Sequence, residues 1–148
     1  DYSQSEYSLD ILSIKSELEY RLAKKEYESA ILYMKLQEYK GALIYLFEIL
    51  DNNTPTIIHE DVSAISLSSN KSFGEYDILL KDLLDNTRIM ILYAYLFDEK
   101  DSMAEAFYAL EIDKFYNSKS KDKAIELIED KTSNRFASWW DIYLGISK

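Results

Sequence analysis

The 148 residues include no cysteine, one histidine, one proline and three glycines. Each shortage excludes something. Without cysteine there is no disulfide, no thiolate nucleophile and no sulfur ligand, and the redox compartment is left undecided. With His59 as the single imidazole, zinc and copper sites cannot be assembled from their usual ligands. The scarcity of glycine and proline removes the punctuation that strands and tight turns use, so the chain is expected to be nearly all helix. Apolar residues make up 47% of the sequence, enough for a core, yet no apolar run approaches the roughly 20 residues of a membrane span. No signal peptide is present, and the chain opens on an acidic, polar stretch, which leaves open whether a targeting segment precedes Asp1.

The net charge is -10 and the pI about 4.6. An acidic surface repels phosphate backbones, so no nucleic-acid partner is expected; basic proteins are favoured, solubility being the plainer reading. Glu17 with Glu19, Asp82 with Asp85, and Glu126 with Glu129 and Asp130 have helical spacing but no second set to complete a cage. They read as solvated faces. No G-x-S-x-G, phosphate-binding loop or dinucleotide fingerprint is present. The expectation is therefore a non-enzyme with no catalytic residue, metal or cofactor.

What the sequence does contain is apolar residues at three- and four-residue steps, the mark of amphipathic helices. Ser3-Gln4-Ser5-Glu6 has the form of a capping box, and nothing interrupts the run from there to about Gln37. Either one helix spans Ser5 to Leu36 or two meet near Glu19–Arg21. Gln37-Glu38-Tyr39-Lys40 then turns the chain, and Gly41 lets a second helix, carrying Ala42, Leu43, Leu46, Phe47, Ile49 and Leu50, lie close against the first. Asp51-Asn52-Asn53-Thr54-Pro55 ends it. Further helices are expected over Ile57–Leu67, Tyr76–Asp85, Thr87–Phe97, from a capping box at Ser102 to about Tyr116, over Lys121–Glu129, and over Ser133–Ile146. The helix from Thr87 is apolar all round, which places it centrally. In the last, Phe136, Trp139, Trp140, Tyr143 and Leu144 form one stripe that seals the end of the fold.

The Leu22–Thr56 hairpin, with Ala30, Tyr33 and Ala42 where two helices cross, resembles a tetratricopeptide (TPR) repeat. Two positions depart: Glu26 stands where the family usually has a large apolar residue, and Pro55 falls one place late. Ala94, Phe97, Ala106 and Leu110 echo the offsets of Ala30, Tyr33, Ala42 and Leu46. The resemblance implies one all-α domain over residues 1–148, a stack of antiparallel hairpins with units near 23–55, 56–86 and 87–117 and capping helices over 120–147. It implies a protein-binding groove lined by Lys24, Tyr27, Ile31, Met34 and Lys35, and later by Arg88, Ile91 and Tyr95. Packing against the next helix is the alternative fate of those side chains.

Leu22-Ala23, Glu26-Tyr27, Tyr33, Tyr39-Lys40-Gly41-Ala42 and Asn53-Thr54-Pro55-Thr56 are also similar to the later repeats of BamD-type lipoproteins, which help assemble β-barrel proteins into bacterial outer membranes. The likeness covers roughly the first third of the chain. It implies a periplasmic adaptor contacting other assembly subunits and transfers no binding residues. The other reading of such a bundle is a helical surface lipoprotein or antigen that binds host proteins.

Overall fold

The computed structural model describes residues 4–53 and 71–131. Among these the fold is all-α, with five α-helices and no strand. They are α1 (Gln4–Lys35), α2 (Tyr39–Asn52), α3 (Lys71–Phe97), α4 (Asp101–Glu111), a 3-10 turn (Ile112–Lys114) and α5 (Ser118–Glu129). The helices expected over Ile57–Leu67, which holds His59, and Ser133–Ile146 lie outside the described residues.

Helix α1 is continuous, the first of the two arrangements its sequence allows, and folds back on α2 through a turn that needs no glycine. The Glu38 N–H donates to the Tyr33 carbonyl (2.9 Å) and the Gln37 N–H to that of Met34 (3.0 Å). This is the paired bonding of a Schellman motif, which requires a left-handed residue at Gln37 (φ 61°). The turn between α3 and α4 repeats it. Lys100 N–H meets the Tyr95 carbonyl (2.8 Å), Glu99 N–H meets that of Leu96 (3.2 Å), and Glu99 has φ 58°. Because the turn also starts the next helix, neither α2 nor α4 has a side-chain cap, and Ser102 lies inside α4 instead of capping it. A left-handed non-glycine residue costs about 1–2 kcal/mol. Gln37→Gly and Glu99→Gly are each expected to raise stability by about 1 kcal/mol in thermal melts.

Gly41 performs the expected close approach. A Cβ there would stand 2.9 Å from Tyr33 Cδ1, and the Tyr33 ring cannot swing freely because it stacks on Tyr45 at 5.4 Å. Alanine in place of glycine adds about 1 kcal/mol of helix propensity, but overpacking costs about 1–3 kcal/mol. We expect Gly41→Ala to destabilise the wild type and to stabilise a Tyr33→Ala background, a sign change that urea melts of the four proteins would read.

Helix α3 packs against α1, α2, α4 and α5. From Leu83 to Leu96 every residue except Asn86 is buried. The break expected between Asp85 and Thr87 does not form, so the unit boundary at residue 86 falls within a helix. Thr87 Oγ1 donates to the Leu83 carbonyl at 2.7 Å, the back-bond that lets a buried threonine sit in a helix. The main core joins Ala30, Met34, Ala42 and Leu46 to Ile89–Leu96, Ala104, Phe107, Ala124 and Leu127. A smaller cluster joins Ala23 and Ile49 to Leu83 and Leu84. Aromatic rings tie the layers, with Phe47 meeting Tyr95 at 6.3 Å and Phe107 edge-on at 5.6 Å.

The two turns set a different repeat register from the expected one. Gln37 and Glu99 are 62 residues apart, so Ala42 corresponds to Ala104, and both are fully buried. Ala106, the expected counterpart, is exposed. Met103, Phe107 and Leu110 recur at helical steps, yet only Phe107 is buried; Met103 and Leu110 point outward, and Leu110 is 73% exposed. Helix α4 ends at Glu111, short of Tyr116, and α5 begins at Ser118, before the expected Lys121.

Candidate protein-interaction surface

Helix α1 buries Ala23, Ala30 and Met34 against its neighbours. On another side of the same helix lie Ile11, Ile14, Leu18, Leu22 and Leu32, all between 48% and 63% exposed. Their steps of three, four and four residues put them on one stripe, with Lys25 and Ser29 filling the gap before Leu32. At 1.5 Å per residue the stripe runs about 30 Å. Scattered exposed leucines are ordinary on a protein surface; a continuous line of them along one helix is not.

Beside the stripe is an open cleft of about 430 Å³ between α1 and the start of α3, lined by Tyr20, Arg21, Lys24, Lys25, Glu28 and Tyr76. The Tyr20 and Tyr76 rings that line it lie 5.9 Å apart and tilted by 41°. Arg21 is held by Glu17, with Nε to Oε1 at 3.0 Å and Nη2 to Oε1 at 2.7 Å, and also hydrogen-bonds Tyr76. Glu17 first, then Tyr76, raise the Arg21 pKa above its usual value. Lys24 and Lys25 have no side-chain partner among the described residues. Of the three cations, Arg21 is paired with Glu17, and Lys24 and Lys25 share the lining with Glu28.

The groove residues expected from the sequence are dispersed by this arrangement. Lys24 and Lys35 are exposed, and Lys24 lines the cleft. Tyr27 and Ile31 are half-buried and pack on the main core, and burial drives the Tyr27 phenol far above its usual pKa. Met34, Ile91 and Tyr95 are brought together inside that core instead of on an open face. Met34 is 4% exposed, so Met34→Ala disturbs the fold, contrary to the groove expectation. Arg88 is also buried, at 7% exposure. The reason is common to all four: from Leu83 to Leu96, α3 is packed among α1, α2, α4 and α5, and the side expected to form a groove is filled.

Arg88 belongs to a second polar assembly that local spacing hid. Asp85, read from sequence as solvated, is fully buried on α3. Its Oδ1 accepts the Tyr116 N–H at 3.0 Å, and its Oδ2 accepts the Asn117 N–H at 2.9 Å and Asn117 Nδ2 at 3.0 Å. Asn117 Nδ2 also reaches Asp82 Oδ1 at 2.8 Å. Arg88 donates from Nε to Glu111 at 3.3 Å, and its Nη1 lies 3.7 Å from Asp85. Its guanidinium carbon sits 5.9 Å from both the Phe115 and Tyr116 rings. Burial raises the Asp85 pKa, opposed by its hydrogen bonds and by Arg88. Every partner is structural: the assembly fastens the strap before α5 onto α3.

Glu26, at the position where a TPR usually has an apolar residue, shows what the departure costs. Burial, and then Glu48 on α2, push its carboxyl up. Among the described residues no group of acidic or histidine side chains is placed to hold a metal, and no helix is long and apolar enough to cross a membrane.

No protein family, curated protein or solved structure matches the chain. The likenesses to TPR and BamD-type proteins therefore rest on the residues quoted for them.

Proposed function

We propose that the chain is a non-catalytic scaffold, a TPR-like stack of helix hairpins that binds a protein partner along the outward side of α1. The observation that carries this is the exposed stripe of Ile11, Ile14, Leu18 and Leu22 with a cleft along its flank lined by tyrosines and charged side chains. An apolar core edged by charge is the usual anatomy of a helix-recognition surface. Support for the stack is the repeated turn, 62 residues apart, which as two steps averages 31 against the roughly 34 of a TPR. A setting in outer-membrane assembly draws on the BamD-type likeness alone.

Affinity capture from the native cell, comparing wild type with an Ile14→Asp/Leu18→Asp variant, tests the reading. Both residues are exposed, so the variant is expected to keep its stability within about 0.5 kcal/mol per substitution. It should lose the proteins that wild type retains. An identical retained set, from a variant with unchanged melting temperature, overturns the proposal.

A further inference from the structure

We draw no further inference here: the strongest candidate, the outward apolar stripe of α1 over Ile11, Ile14, Leu18 and Leu22 with the cleft beside it, belongs to the surface already described, and nothing in the structure shows what covers it.

Discussion

Asp85→Ala is expected to lower folding stability by about 3–5 kcal/mol, as removing one partner of a buried charged network does. The substitution leaves the Tyr116 and Asn117 N–H groups and the Asn117 amide without their acceptor, and leaves Arg88 with Glu111 alone. Asp85→Asn keeps the shape and one acceptor oxygen but turns an amide toward a backbone donor, so a smaller loss of about 1–3 kcal/mol is expected. The two variants also separate charge from hydrogen bonding. Because burial raises the folded pKa of Asp85 above its unfolded value, the folded state holds that proton more tightly. Its contribution is full below the ordinary aspartate range and is lost as pH rises through the folded pKa. Urea melts across the window just above the ordinary aspartate pKa should show that decline in wild type and its absence in Asp85→Asn. A wild-type slope unchanged by the substitution would mean that the carboxylate is not desolvated as the packing implies.

The same assembly shows what local patterns can and cannot reveal. The α1–α2 hairpin was legible because its causes are close in sequence: uninterrupted apolar steps through α1, a turn at Gln37–Tyr39, and a glycine where Tyr33 crosses. The continuity of α3 was not. Asp85-Asn86-Thr87-Arg88 reads as a polar turn, yet Asp85 is satisfied by residues 31 and 32 positions on and Arg88 by one 23 positions on. Within the helix, Thr87 hydrogen-bonds the Leu83 carbonyl and Arg88 lies 3.7 Å from Asp85. The repeat step was misread for a related reason. Alanines 64 residues apart look like equivalents, but the register belongs to two left-handed residues, Gln37 and Glu99, which no glycine marks. The outward stripe of α1 was visible in its spacing. Its exposure was not, because an apolar stripe looks the same whether or not a neighbour covers it.

Ile91→Ala is expected to cost about 2–5 kcal/mol, the range for truncating an enclosed isoleucine. Ile91 is completely buried, in a helix that meets four others, so collapse from one side is resisted by packing on the opposite side. Lys24→Ala, on the open side of α1, is expected to change stability by less than about 0.5 kcal/mol. Both residues were candidates for one binding groove, so the pair distinguishes a filled interior from an accessible one. Urea unfolding should move the Ile91→Ala midpoint sharply downward with little change in slope, since the surface exposed on unfolding is nearly the same. The Lys24→Ala midpoint should stay in place. If Ile91→Ala instead stays within about 0.5 kcal/mol of wild type, α3 is not enclosed, and the groove along Arg88, Ile91 and Tyr95 becomes the better reading.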